Sequence, residues 1–298
     1  MSKTTPLDYY QSAYSEAVTK RGDAQPDFVS SLNELGIEAF KAAGFPTTKW
    51  ENWKYTDVRK IGATPYEHAV LGNKSEKEPG KLSGFRSGAP DDAEIVLVNG
   101  AYRRDLSSWK GAEGVTLMGL AEAIREIPDR VAAVLGKIGS MEAHPFLALN
   151  TAFLNDGVFL ALEEDAHLPG VLHILHLCGD QDGPLVSHPR LVIDAGKRSQ
   201  ATILESLVGV KGTEYFSNSV TEVRVQTGAK VKHFLVDRNS DKGNFVGNIQ
   251  VDQTEDSSYE AHGFWLGGAL IRNDLEVHLN GHGASAKLNG LFLGKGTR

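Results

Sequence analysis

Two short apolar stretches separated by a polar turn recur through the second half of the chain, from about Asn150 onward. The turns follow one another with a period of roughly 27 to 32 residues, which is typical of stacked arrays. One such unit is too small to bury its own apolar face, whereas stacked units bury a continuous core. Because the units are short apolar strands, the pattern predicts a β-helix. The five turns lie at Asp165-Ala166, Ala195-Gly196, Gly228-Ala229, Asp256-Ser257 and Gly283-Ala284.

The start of the chain has a helical pattern instead. Apolar residues at helical spacing predict helices over Pro6 to Lys20 and over Pro26 to Ala43. Gly44 and Pro46 mark the end of the second helix. We expect the apolar face of that helix to carry Phe28, Leu32, Leu35 and Phe40.

A mixed segment connects these helices to the array. It contains a polar loop at Lys74 to Asp92, a strand at Glu94 to Asn99 and a helical pattern at Leu117 to Leu135. We therefore place a boundary near residue 145. Residues 1–145 form a helical and mixed N-terminal domain, and residues 146–298 form the mainly β core.

Composition excludes several classes of protein. A net charge of −7 with no basic block argues against a nucleic-acid footprint. The N-terminus lacks an apolar stretch of signal-peptide length, and no run approaches the roughly 20 apolar residues that span a bilayer. The single cysteine excludes an internal disulfide and fits a reducing compartment. We therefore expect a cytoplasmic protein that binds neither nucleic acid nor membrane.

An aromatic segment follows the second predicted helix, with the sequence PTTKWENWKYTDVR from Pro46 to Arg59. Three rings lie within six residues, and the simplest interpretation is a packing corner in which Trp50, Trp53 and Tyr55 bury apolar area. The alternative is a functional groove that docks a peptide.

Part of this segment resembles a known family. ENWKYT is similar to the N-terminal signature of SufD-type subunits in the SufB/SufD family of the SUF iron–sulfur cluster assembly machine. The similarity continues at Asn150 to Phe153, Leu191 to Leu207, His262 to Asn273 and Leu288 to Leu293. The match spans nearly the whole chain, and ENWKYT is the most specific of these stretches. The signature residues, for which we expect a structural role, are Glu51, Asn52, Trp53, Lys54, Tyr55 and Thr56.

The resemblance implies a right-handed parallel β-helix between two helical domains. Subunits of this type pair with SufB and bind the SufC ATPase through the C-terminal helical domain. The complex is a scaffold for a nascent cluster, and the SufD side has a role in iron acquisition. It follows that this chain is not an enzyme and holds no cofactor stably, although iron or a transient cluster is expected in the complex. Without SufB, a homodimer is the expected alternative.

The chain departs from the family at its end. Family members continue well past the equivalent of Leu293, into the last rungs, the SufB-pairing edge and the SufC-docking helices. We therefore expect an incomplete core whose last strand edge a partner or further chain must cover. His282-Gly283-Ala284 is similar to part of the family's assembly motif, but it falls at a turn inside an ordinary rung. No assembly residue of the family is therefore assigned here.

One strand offers a candidate metal site. In VLHILHLC, alternation places His176 and Cys178 on one face with Leu172 and Ile174, and His173 on the other. A His/Cys pair can supply two ligands to a soft metal, whereas a stable site needs three or four. The alternative is a buried thiol beside a hydrogen-bonded core histidine.

Three histidines and a set of acidic residues are further candidates for a metal or catalytic site. Stacking could bring His233, His262 and His282 onto one face as a weak iron ladder, although their spacing varies. Clustered acids could serve calcium binding or glycoside cleavage, but Asp favours turns for its own local hydrogen bonds. We interpret these acids as solvated turn residues, namely Asp237, Asp241, Asp252, Glu255 and Asp256.

Sequence motifs for nucleotide or nucleophile chemistry are not found, since neither a phosphate-binding loop nor a Gly-x-Ser-x-Gly elbow occurs. A scaffold subunit for iron–sulfur cluster assembly is therefore the favoured function. The alternatives are a β-helix carbohydrate-active enzyme and a plain protein-interaction module.

Overall fold

The fold is a two-sheeted β-solenoid with a helical layer on one side. The computed structural model describes residues 5–22, 25–69, 84–86, 92–179 and 183–294. It is mainly β, with about four solenoid turns, which confirms the predicted fold class. Within the described ranges, no helix is long and apolar enough to span a bilayer.

Each sheet supplies one strand, or one broken strand, to every rung. Sheet 1 comprises β1 (Glu67–His68), β4 (Val115–Gly119), β5 (Gly157–Leu162), β7 (Leu185–Ser187), β8 (Arg190–Ala195), β10 (Tyr215–Val225), β12 (Gly243–Gln253) and β14 (Leu270–Leu279). Sheet 2 comprises β2 (Ala93–Val98), β3 (Ala101–Tyr102), β6 (Leu172–Cys178), β9 (Gln200–Gly209), β11 (Lys230–Arg238), β13 (Ser258–Trp265) and β15 (Ser285–Phe292).

Strand register gives the length of each rung. Gly157 pairs with Arg190, 33 residues later, whereas Asn244 pairs with Leu270, 26 residues later. All pairings between successive rungs are parallel. The rungs therefore shorten along the chain, around the period that the sequence predicts.

Stacked turns connect sheet 1 to sheet 2. Their backbone N–H groups donate from one turn to the next, as Arg198 does to Thr227 and Gly228 does to Glu255. Each turn has one residue with a φ between 52° and 75°, a region that favours Gly, Asp and Asn. Four predicted turns are confirmed in place, and the second is centred two residues later than predicted. The left-handed residues are Asp165, Arg198, Gly228, Asp256 and Gly283.

The helices are α1 (Pro6–Arg21), α2 (Asp27–Ala43), α3 (Arg59–Ala63), α4 (Leu120–Glu126), α5 (Pro128–Ala132) and α6 (Pro145–Ala152), with 3-10 turns at Glu51–Trp53 and Arg104–Leu106. The first two confirm the predicted helices to within one residue. The predicted helix over 117–135 is partly wrong, because its start is β4 and Pro128 begins a separate helix.

The helical layer packs on the outer face of sheet 1. Rings and aliphatic groups of α1, α2 and α6 share one apolar cluster with Val186, Phe216 and Val246 of sheet 1. Helix α2 approaches α6 so closely that a Cβ at Gly36 would lie 2.5 Å from the Ala152 nitrogen. The predicted face of α2 needs correction, because Leu35 is 58% exposed. The buried stripe comprises Val29, Asn33, Gly36, Ile37 and Phe40.

Strands from the N-terminal part extend both sheets. Strand β2 pairs in parallel with β6, and Asn99 and Gly100 form the predicted turn that follows it. Strand β4 pairs antiparallel with β5. Residues on both sides of the predicted boundary at 145 therefore build the same sheets. The predicted polar loop at 74–92 lies mostly outside the described residues.

Candidate functional site

Side chains along sheet 2 alternate between the solenoid interior and its outer surface. Leu172 and Ile174 belong to the interior apolar core, and His176 and Cys178 follow them on the same face. His173 points outward, where its Nδ1 lies 3.2 Å from Glu94 Oε2 and its Nε2 lies 2.9 Å from Ser206 Oγ. The alternation predicted for this strand is thereby confirmed.

A chain of buried polar groups crosses the interior diagonally over four strands. His176 Nε2 lies 2.7 Å from Glu205 Oε2, and His233 Nε2 lies 2.8 Å from Glu205 Oε1. The hydroxyl of Tyr259 lies 2.8 Å from His233 Nδ1. Thr221 of sheet 1 adds a hydroxyl 3.3 Å from Glu205 Oε1. We call this chain the His176–Tyr259 relay, and all of its members are buried.

The relay holds a carboxylate in an apolar interior. Burial alone would raise the pKa of Glu205, but the hydrogen bonds from His176 and His233 outweigh burial and hold that pKa below its usual range. Glu205 therefore stays ionised at neutral pH. Both of its oxygens are already occupied by imidazole nitrogens, so this carboxylate is a structural centre of the interior.

Cys178 is the last residue of β6, two positions after His176. Burial raises the pKa of its thiol to about 12, with the hydroxyls of Ser217 and Ser187 opposing this in part. The thiol is therefore protonated at neutral pH, whereas metals and electrophiles react with the thiolate. Within the described residues, no group of three or more His, Cys, Asp or Glu is arranged to hold a metal ion. The arrangement of His176 and Cys178 is that of a core pair.

Asp237 corrects the interpretation of the acids as solvated turn residues. It is fully buried at an inward position of β11, because the alternation that starts at Val231 continues to it. Burial raises the pKa of Asp237 to about 7, although the Asn239 backbone N–H donates to its Oδ1 at 2.7 Å. The expected solvation holds for three of the other acids, since Asp241, Glu255 and Asp256 are exposed at turns.

The three histidines of the suggested ladder do not share a face. His233 is interior, whereas the ring of His262 is on the outer surface and stacks on Phe234 at 4.8 Å. His282 lies in a turn between the sheets. Their spacing places them in three different environments, so they form no common site.

The ENWKYT segment is mostly exposed, which corrects the expected burial of three rings. Only Trp53 is buried, since the 3-10 turn directs its ring toward Phe146, 5.3 Å away. Trp50 is 36% and Tyr55 is 92% exposed. A one-turn helix presents one side to the core, and only one of three closely spaced rings can occupy it.

The guanidinium of Arg272 lies on the outer face of Trp53. Its centre is 3.8 Å from the ring centroid, and its NH1 donates to Asn52 O at 2.8 Å and to Thr56 Oγ1 at 3.3 Å. Arg272 belongs to the stretch His262 to Asn273. Two of the segments that resemble the family are therefore in direct contact.

A second polar network went unpredicted because no motif marks it. On the outer face of sheet 1, Arg190 donates to Glu222 through Nε at 2.9 Å and NH2 at 2.5 Å. Glu222 also accepts from the backbone N–H groups of Gly136, Lys137 and Ile138. Both side chains are fully buried beneath the helical layer, which this pair ties to the solenoid.

Comparison with known families divides the chain into two matching regions. Residues 5–174 match the family model described as the SufBD protein N-terminal region, and residues 177–298 match the SUF system FeS cluster assembly, SufBD core domain. The chain belongs to the SufBD family. The resemblance seen in ENWKYT and in the rung segments is thereby confirmed.

Relatives of this SufBD family member are similar over most of its length. The iron-sulfur cluster assembly protein SufD of Escherichia coli is 23% identical over 86% of this chain and 57% of its own length. The SufBD family protein slr0076 of Synechocystis is 24% identical over 78% of this chain and 52% of its own. The chain thus spans about half the length of the curated relatives it matches. Protein ABCI7 of Arabidopsis thaliana is 26% identical over 83% of this chain.

Proposed function

We propose that this protein is a scaffold subunit for iron–sulfur cluster assembly, which pairs with a SufB-type subunit and with a SufC-type ATPase. Iron or a nascent cluster is then cargo of the assembled complex. The observation that carries the proposal is the match of both the N-terminal region and the core to one family whose named relatives are assembly proteins. The work of such a subunit is to present surfaces to its partners.

The interior chemistry supports a structural role for the solenoid. Glu205 is saturated by two histidines, and Cys178 is held as a protonated thiol. Glu205 is not poised as a base, because both of its oxygens already accept hydrogen bonds. Cys178 is not poised as a nucleophile, because its thiol is protonated. The interior therefore favours rigidity over turnover.

Co-purification tests the proposal. The complete gene product, tagged and co-expressed with the SufB-type and SufC-type proteins of the same genome, is expected to retain both partners through size-exclusion chromatography. Failure of the unaltered protein to retain either partner would contradict the proposal.

A further inference from the structure

Strand β14 has a neighbour on only one edge within the described residues. It pairs with β12, whereas β12 pairs with both β10 and β14. A strand with one neighbour makes half as many ladder hydrogen bonds, so it is expected to open more readily. Its counterpart in sheet 2, β15, has the same one-sided pairing and is exposed at every residue. Strand β14 is instead half-buried along most of its length.

The N-terminal segment covers the outer face of β14 at one end. Trp53 stacks on the Arg272 guanidinium at 3.8 Å, and Asn52 O and Thr56 Oγ1 accept from its NH1. Asp274 holds the other side of the same fork, since it accepts from Arg272 Nε at 2.9 Å. The guanidinium is therefore fixed between the strand and the segment, with one face on the Trp53 ring and with Nε, NH1 and NH2 all in contact with acceptors.

A second contact from the helical layer lies farther along the same face. His144, at the start of α6, places its Nε2 2.9 Å from Glu276 Oε2. Arg272 and Glu276 are four residues apart on one face, which corresponds to about 13 Å along a strand. Two contacts at this separation restrain both the position and the tilt of the strand.

We propose that the segment Glu51–Thr56 and His144 form a brace that holds β14 in position against the helical layer. Arg272 is the positioning residue of this brace. The contact joins residues 220 positions apart, so it ties the N-terminal segment to the last described rung. The positioning of β14 does not depend on the proposed function.

The brace also accounts for the exposure of the ENWKYT segment. Its backbone and Thr56 serve as acceptors for Arg272, and only Trp53 needs an apolar pocket. The segment therefore stabilises a strand from the outside rather than contributing three rings to a core.

Hydrogen–deuterium exchange followed by mass spectrometry tests the brace directly. Arg272→Ala is expected to speed exchange of the β14 peptide by about tenfold, because the strand loses its outer restraint while its pairing with β12 remains. Peptides from β10 and the thermal midpoint should change little. Arg272→Lys keeps a cation over the Trp53 ring but loses the planar fork, so it should restore part of the protection.

A control variant and a milder variant of the same contact make the outcome decisive. Lys232→Ala, on the exposed face of sheet 2, should leave the exchange of β14 unchanged. Trp53→Phe removes the indole but keeps an aromatic face, and it should give a smaller effect than Arg272→Ala. Unchanged exchange in Arg272→Ala, or an equal rise in β10 and β14, would overturn the brace. Because no partner is present in this experiment, a failed co-purification leaves its outcome intact.

Discussion

The two sheets share one interior but differ in what covers their outer faces. In sheet 1, β10 and β12 are buried on both faces at nearly every residue. In sheet 2, β9 and β11 alternate between buried and more exposed residues. The difference arises from the helical layer, because among the long strands it packs on those of sheet 1 and not on those of sheet 2. The outer faces of β9 and β11 are thus left for solvent or for a partner, whereas β2 and β6 are buried on both faces.

The helical layer decides which partners the outward-facing polar side chains of a sheet need. Polar side chains on the outer faces of β9 and β11 are at least partly exposed to solvent, whereas those on sheet 1 lie beneath helices and need protein partners. Asn218 meets this need by donating to Phe146 O at 2.9 Å, and Arg190 does so by pairing with Glu222. Buried polar networks therefore attach the helical layer to sheet 1.

The largest effect is expected from removing the buried carboxylate of sheet 1. Glu222→Ala leaves the Nε and NH2 groups of Arg190 and three backbone N–H groups without their acceptor, while Arg190 NH1 keeps its bond to Asn150. Breaking a buried pair in this way costs about 3–5 kcal/mol of unfolding free energy. Chemical denaturation measures the loss. Glu38→Ala, which breaks an exposed pair with Lys41 on α2, is the matched control and should cost at most about 1 kcal/mol.

The next effect concerns the contact between α2 and α6. Gly36→Ala would place a Cβ 2.5 Å from Ala152 N and 2.8 Å from Ala148 O, and these backbone atoms cannot move aside independently. Overpacking of this kind costs about 1–3 kcal/mol, although the same change at an exposed helix position is stabilising. Ser31→Ala, on the exposed face of α2, should be neutral or slightly stabilising. Equal denaturation midpoints for the two variants would contradict the close approach.

A pH effect should separate the buried layer from the solvent-facing sheet. Burial lowers the pKa of His68 to about 3, and its ring stacks on Phe153 at 4.3 Å. In the unfolded chain the pKa of His68 is about 6.5. Below that pH the unfolded chain binds a proton at His68 and the native state does not, so the free energy of unfolding falls as the pH drops.

The variant His68→Phe keeps a ring in this stack and removes the proton site. Between pH 6.5 and pH 5 the unaltered protein should lose about 2 kcal/mol more unfolding free energy than the variant. Denaturation at a series of pH values measures this difference. Parallel profiles for the two proteins would show that His68 is not buried as a neutral ring.

The smallest effect is expected on the outer face of sheet 2. Lys232 is exposed on β11, between inward-facing Val231 and His233. Lys232→Ala should change the unfolding free energy by less than about 0.5 kcal/mol, as is usual for surface positions. A loss comparable to that of Gly36→Ala would mean that something covers this face.

The sequence predicted well those features that repeat or that depend on local pattern. The stacked turns follow from the repeat of roughly 27 to 32 residues. The alternation in β6 and the first two helices follow from periods of 2 and 3.6 residues. Asp237 was misplaced because its type favours turns, while its position in the alternation of β11 decides its burial. Trp50 and Tyr55 were misplaced because composition does not say which ring a single 3-10 turn directs inward.

Contacts between distant segments were beyond reach of the sequence. From the sequence, Arg190 and Glu222 look like ordinary surface charges in two strands, because no neighbouring residue indicates that helices cover them. The relay centred on Glu205 likewise depends on register between four rungs, and its two histidines are 29 and 28 residues from that carboxylate. Such sites emerge only when the stacking is known.

Thiol labelling of matched positions on the two sheets tests the central comparison most directly. The single native cysteine is buried, so new cysteines can be followed one at a time. Val246→Cys, beneath the helical layer on sheet 1, should react in the folded protein as slowly as Cys178, whereas Lys232→Cys on sheet 2 should react as fast as a free thiol. Rapid labelling at position 246, or protection at position 232, would contradict the one-sided coverage of the solenoid.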